Sequence, residues 1–198
     1  MRVRARAAMV GLVAVALLLT GCATDPLAAQ YREGSNKGFI AGDGSWTEIP
    51  AAERGDPIAW AGTSETGATL SSADYAGQVV VVNFWYASCA PCRAEAPALQ
   101  KLSAQFEGKG ASFVGVNVRD QAANAVAFNE NYGVGYPSVM DVGDGAMQLA
   151  FSGSIPPNAV PTTLVIDRSG RVAARILGEL SSPSILETLI TSALDEGA

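Results

Sequence analysis

Two cysteines separated by two residues, Cys89-Ala90-Pro91-Cys92, are the side chains of this sequence best suited to covalent chemistry. A thiolate is a nucleophile and a leaving group, and a neighbouring thiol can close a disulfide on it, so the pair suits thiol–disulfide exchange. The pair follows a β-branched and aromatic run, Gln78–Trp85, and opens a segment with helical spacing, Pro91–Phe106. A helix N-terminus offers unpaired N–H groups and partial positive charge, so Cys89 is expected to be the more acidic thiol and the attacking one. Cys92, one turn further in, is expected to be more buried and to resolve the mixed disulfide. Pro91 suits the first helical turn, where a missing N–H costs little. The competing readings are half of a zinc site and an inert staple. A structural zinc needs four ligands, and the chain has three cysteines and no histidine. A disulfide closing so short a loop constrains the unfolded chain little.

The absence of histidine also excludes a His-based triad and His-ligated copper or haem. Asp+Glu (19) outnumber Lys+Arg (13), and Arg2, Arg4 and Arg6 fall in the first segment, so no basic stripe is left to meet nucleic acid. No metal site and no cofactor beyond the cysteine pair is expected, and the chain is expected to be a monomer.

The positioning elements follow from pattern. Gln78–Trp85 and Ala111–Val118 read as strands buried on both faces. Ile58–Trp60 and Thr69–Leu70 flank a Gly/Ser/Thr-rich turn and suggest a small hairpin. Pro91–Phe106 and Gln121–Tyr132 read as helices, Ser138–Asp141 as a weak strand and Ala146–Phe151 as a short helix. Thr162–Ile166 and Arg171–Leu177 flank the turn signal Asp167-Arg168-Ser169-Gly170, and Ser182-Pro183 opens a last helix. The order is β-β-β-α-β-α-β-(α)-β-β-α, an α/β layered sheet with two parallel crossovers followed by an antiparallel hairpin.

Residues 1–21 read as a signal peptide, with a basic start, an apolar stretch from Met9 to Leu19 and small residues before Cys22. The apolar run is shorter than the about 20 residues a membrane span needs. Leu19-Thr20-Gly21-Cys22 resembles a bacterial lipobox, which implies lipidation of Cys22 and a membrane anchor; an ordinary signal peptide and an uncleaved anchor are the alternatives. A lipidated Cys22 would leave Cys89 and Cys92 as the remaining pair. Residues 22–45 read as a polar, Gly-rich tether, and residues 46–198 as the folded domain.

The stretch Trp85-Tyr86-Ala87-Ser88-Cys89-Ala90-Pro91-Cys92-Arg93-Ala94-Glu95-Ala96-Pro97 resembles the active-site segment of the thioredoxin superfamily. The pattern Asn-Phe-Trp-x-x-x-Cys-x-Pro-Cys-Arg-x-Glu-x-Pro is similar to its TlpA/ResA branch. The resemblance implies a thioredoxin-like fold, a central mixed sheet flanked by helices, with an N-terminal β-hairpin and an inserted helix at Gln121–Tyr132. It implies an extracytoplasmic, tethered reductase of protein disulfides, with apocytochrome c as a client and a membrane electron donor of CcdA/DsbD type. It implies that Trp85 packs beside the site and that Pro97 kinks the active-site helix. Val160-Pro161 is implied to face the disulfide through a cis bond, with the Val160 backbone open to strand-like pairing with substrate. Glu95 stands where the branch has a glutamate that shuttles protons or tunes the thiols; an exposed first-turn residue favoured by the helix dipole is the alternative. Asn83 stands where thioredoxin has a buried aspartate and cannot carry a proton, which shifts that task to Glu95 or water. Ser88 leaves the rim less apolar. Ala90-Pro91 does not set the direction of the reaction, since potentials in this fold span about −270 to −120 mV. Oxidase or isomerase action is the alternative within the chemistry. A non-enzymatic lipoprotein or a peroxidase is the alternative outside it.

Overall fold

A computed structural model describes residues 44–156 and 159–196. The signal peptide, Cys22 and nearly all of the tether lie outside the described residues. The sheet begins at β1 (Ser45–Glu48), a residue earlier than the boundary expected from sequence. The elements that follow are β2 (Ala61–Thr63), β3 (Thr69–Ser71), a 3-10 turn (Ser72–Tyr75), β4 (Val79–Trp85), α1 (Ala90–Phe106), β5 (Ala111–Asn117) and α2 (Ala122–Tyr132). The chain then forms β6 (Ser138–Met140), α3 (Ala146–Ala150), β7 (Thr162–Ile166), β8 (Val172–Leu177) and α4 (Pro183–Asp195).

Six strands make one sheet in the order β1-β8-β7-β4-β5-β6. β4 pairs parallel with β5 and antiparallel with β7, so it is central, and β5 pairs parallel with β6. β7 and β8 form an antiparallel hairpin. This is the mixed sheet of a thioredoxin-like fold, with helices on both faces.

β4 shows why. All seven of its residues are buried, so a run of valines without polar alternation meets apolar partners above and below. Val79 and Val81 point into a core with Leu99, Leu102 and Phe106 of α1 and Leu186, Leu189 and Ile190 of α4. Val80, Val82 and Phe84 point the other way, onto Met147, Phe151, Leu164 and Ile166. The period of two along the strand therefore builds two cores from one segment.

Two elements differ from the sequence expectation. The hairpin's first arm is Ala61–Thr63 rather than Ile58–Trp60, and it pairs Ala61 with Ser71 and Thr63 with Thr69 as a separate two-stranded sheet. Trp60 is drawn instead into the second core, its ring 5.8 Å from that of Tyr75. β1 is a strand that the pattern of residues did not signal. All four of its residues are exposed, and it exists because the edge of β8 offers pairing from Ala174 to Leu177.

Candidate active site

β4 carries the chain from the core to the site. At its end Trp85 is buried (3% exposed); its indole N–H donates to Ser138 Oγ at 3.1 Å and its ring lies 4.2 Å from Phe128 of α2. This packing requires a glycine on the neighbouring strand. A Cβ on Gly115 would lie 2.1 Å from Ser138 Oγ and 2.8 Å from Trp85 Nε1.

The turn Tyr86–Ser88 leads into Cys89, whose N–H donates to Tyr86 O at 3.2 Å. Cys89 is the N-cap of α1. Its Sγ accepts from the Cys92 backbone N–H at 3.2 Å, one of the donors that a helix start leaves unpaired. Cys89 and Cys92 are joined in a disulfide, with Cα atoms 5.3 Å apart. Pro91 sits in the first turn, half-buried. Pro97 lies inside α1 on its exposed side and cannot donate to the Arg93 carbonyl one turn back.

One expectation is corrected here. Cys92 is not the more buried of the two: Cys89 is 0% exposed and Cys92 2%. Both belong to a buried cluster with Trp85, Tyr86, Ala96, Ala125, Phe128 and Val160, so in the disulfide form side chains close over the N-cap position as well as over the helix. Ser88 is exposed beside it.

Val160 joins this cluster from the loop before β7, and the Val160–Pro161 bond is cis. Val160 also lines an apolar cavity of about 330 Å³ with Phe84, Val118, Leu149, Ile155 and Ala159, open beside the site.

Glu95 is not an exposed helix residue. It is 2% exposed, and both carboxylate oxygens accept hydrogen bonds: Oε1 from Asn83 Nδ2 at 2.9 Å and Oε2 from the Leu180 N–H at 2.9 Å. Burial pushes its carboxyl up to about 7, against those two donors, which favour the charged form. Asn83 has a second partner, Thr163 Oγ1 at 3.0 Å. The residue that sequence comparison marked as unable to carry a proton is therefore the one that holds Glu95. A cavity of about 10 Å³, close to the space one water needs, lies beside Cys92 between Asn83 and Tyr136. Among the described residues, no group of three or more His, Cys, Asp or Glu converges as a metal site would require, and no helix is long and apolar enough to cross a membrane.

Sequence reasoning did not find Leu180, the hydrogen bond from Asn83 to Thr163, or the turn Asn117–Asp120, whose Asp120 Oδ2 accepts from the Ala87 N–H at 2.6 Å. The Asn-x-x-Asp spacing at the end of a buried strand is a turn signal that was there to be read.

Comparison with known proteins agrees with this geometry. The family model described as Redoxin matches residues 47–190. The chain is 32% identical over 116 residues to the thiol-disulfide oxidoreductase ResA of Geobacillus thermodenitrificans, covering 59% of this chain and 64% of that protein. It is 29% identical over 119 residues to ResA of Bacillus subtilis, covering 60% and 64%. The matches thus take in just under two thirds of those relatives' own length. Among solved structures, a secreted thiol-disulfide isomerase from Corynebacterium glutamicum superposes with a TM-score of 0.69 at 32% identity, covering 79% of this chain and 96% of that one. A DsbF homologue from Corynebacterium diphtheriae superposes at 0.67 with 35% identity, covering 76% and 94%.

Proposed function

Since the chain belongs to the Redoxin family, we propose that it is an extracytoplasmic thiol–disulfide oxidoreductase that reduces protein disulfides through Cys89 and Cys92. The observation that carries this reading is the Cys89–Cys92 disulfide at the N-terminus of α1, with Cys89 Sγ accepting the Cys92 N–H.

In the reduced protein the Cys89 thiolate attacks one sulfur of a substrate disulfide. A Cys89–substrate disulfide forms, and the other substrate sulfur leaves as a thiolate. Cys92 then attacks Cys89 Sγ, which closes the intramolecular disulfide and releases the second substrate sulfur as a thiolate. Two electrons pass to the substrate, and an external dithiol donor must return them. The cysteine pair suffices as redox group, with no other cofactor. Cys92 must lose a proton before it attacks. Glu95, buried one turn further along α1 and with a carboxyl near 7, is suited to exchange it. Because the disulfide is covered, the side chains over Cys89 give way as substrate docks. The apolar cavity that Val160 lines suits a large apolar side chain of a substrate segment, and Val160, buried like Cys89, must be uncovered in the same docking step for its backbone to pair with that segment.

The Leu19–Cys22 motif supports a chain tethered through lipid on Cys22 to a bacterial cell membrane, outside the cytoplasm. The resemblance of the Cys89–Pro97 stretch to the TlpA/ResA branch supports an apocytochrome c as client and a membrane protein of CcdA/DsbD type as donor, the acidic composition supports a chain that does not bind nucleic acid, and the working unit of this proposal is a monomer. Isomerase action is the second reading, favoured by the match to the secreted isomerase of Corynebacterium glutamicum.

The test is reduction of insulin disulfides by the full chain with a dithiol donor, beside equilibration of the Cys89–Cys92 pair with glutathione. Turnover that Cys89→Ser abolishes, with an equilibrium near the reducing end of the range, is the expected result. An equilibrium near the oxidising end rejects the reductase direction. A Cys89→Ser protein as active as its parent rejects the assignment altogether.

A further inference from the structure

The turn that ends β5 grips three consecutive residues of the segment leading to Cys89. Val118 N–H donates to Trp85 O at 3.1 Å. The Arg119 guanidinium carbon stands 4.1 Å from the centre of the Tyr86 ring, a cation–π distance. Asp120 Oδ2 accepts from the Ala87 N–H at 2.6 Å. From the other side, Arg93 of α1 donates through Nη1 to Ala87 O at 3.1 Å. Both polar groups of the Ala87 backbone are thus held by side chains, two residues before the nucleophile.

The gripping turn is braced in its own right. Asn117, fully buried, accepts on Oδ1 from the N–H groups of Arg119 (3.1 Å) and Asp120 (2.7 Å). Its Nδ2 donates to the same Asp120 Oδ2 at 2.9 Å. Asp120 Oδ2 is therefore a fixed acceptor shared between the braced turn and the Ala87 amide. Without it, Ala87 N–H would lose that acceptor, and the Tyr86–Ser88 turn would gain freedom that passes directly to Cys89.

We propose that Asp120 is a positioning residue for Cys89: by holding the Ala87 amide, it keeps the nucleophile at the N-cap position where α1 stabilises its thiolate. This rests on the redox reading above and deepens it. Among the described residues the charged and titratable groups facing this segment include Tyr86, Arg93, Arg119 and Asp120, joined by the Cys92 thiol once the disulfide is reduced. The expected effect follows from geometry, since a small displacement of a reacting group costs rate steeply, and a thiolate moved off a helix start loses its stabilisation.

The test is the pH profile of Cys89 alkylation by iodoacetamide in the reduced full chain, resolved from Cys92 by peptide mass. Asp120→Ala is expected to move the midpoint upward and to slow alkylation near neutral pH by about tenfold. Asp120→Asn keeps an acceptor oxygen for the Ala87 amide and is expected to restore the rate to within about twofold. An unmoved profile in Asp120→Ala overturns the proposal, whatever happens to its melting temperature. An equal upward shift in the Ala and Asn variants also overturns it, because the acceptor oxygen that Asn keeps then makes no difference, and a downward shift in both overturns it as the effect of the lost negative charge. If Asp120→Ala does not fold, Asp120→Glu carries the test: it keeps the charge but displaces the acceptor, is expected to shift the profile the same way, and overturns the proposal if it does not. Insulin reduction by the unaltered chain is run alongside. An inactive parent overturns the redox reading, whereas an active parent with an unmoved variant profile overturns the positioning role alone.

Discussion

Asn83 Nδ2 lies 2.9 Å from Glu95 Oε1, joining the central strand β4 to the active-site helix α1 by a hydrogen bond between two buried side chains. With the Leu180 N–H on the other oxygen, the carboxyl is held at both ends, yet burial still keeps its protonated form favoured up to about pH 7.

Stability should therefore fall as pH rises from about 4.5 to about 7. A carboxyl whose folded-state pKa is raised binds its proton more tightly in the native state. Its contribution is fully present below the unfolded value and is lost as pH rises through the folded one. The loss is on the order of 3 kcal/mol. Urea unfolding of the oxidised protein across this window measures it. Glu95→Gln, which cannot ionise, should flatten the slope, and an unchanged slope would assign the pH dependence to another group.

Asn83→Asp would set a second carboxyl against Glu95. Two carboxyls at that distance cannot both ionise without strong repulsion, so the pair shares a proton and its second ionisation moves up. Above neutral pH this variant should be less stable than the parent by about 2 kcal/mol or more, while near pH 4.5 the two should be close. The same unfolding series reads both points.

Gly115→Ala should cost about 2–3 kcal/mol, because its methyl would enter the space of Ser138 Oγ and Trp85 Nε1. Adding Ser138→Ala removes the nearest obstructing atom, so the double variant should recover part of the loss. Thermal melts report the cost, and tryptophan fluorescence reports the displacement of Trp85. A double variant no better than Gly115→Ala alone would show that the clash lies with Trp85.

Arg54→Ala should destabilise by about 3 kcal/mol. The Arg54 side chain is 1% exposed and meets Asp167 at 3.0 Å, Ile49 O at 2.9 Å and the Glu196 carboxylate. Burial alone would raise Asp167; the donors Arg171 and Arg54 outweigh it and hold its carboxyl below the usual range. Removing Arg54 leaves Asp167 with Arg171 as its one cationic partner among the described residues, beside the Ser169 N–H, so acid sensitivity should shift to higher pH as well. Denaturant midpoints at pH 7 and pH 4 measure both effects.

The strands and helices that carry the site were legible because their signals are local. An unbroken valine run can only be satisfied between two apolar layers, which marks β4 as central. Gly133, in a left-handed conformation at φ 67°, ends α2 where the sequence places a stop. β1 was not legible, since its four exposed residues carry no pattern and its pairing is supplied by β8 more than a hundred residues away. Nor was the burial of Glu95: a carboxylate in the first turns of a helix reads as solvent-exposed, and only the packing of α1 against β4 and the loop at Leu180 encloses it.

Taken alone, the sequence determined the chemistry: two thiols one helical turn apart, behind a buried strand and at a helix start, with no histidine for a His-based triad or a His-ligated metal. Tertiary structure decided what surrounds those thiols. The equal burial of Cys89 and Cys92, the double hold on Glu95 and the grip of Asp120 on Ala87 all join residues distant in the chain. Covalent reactivity is written in residue type and local spacing, whereas desolvation and hydrogen-bond partnership depend on which segments the fold brings together.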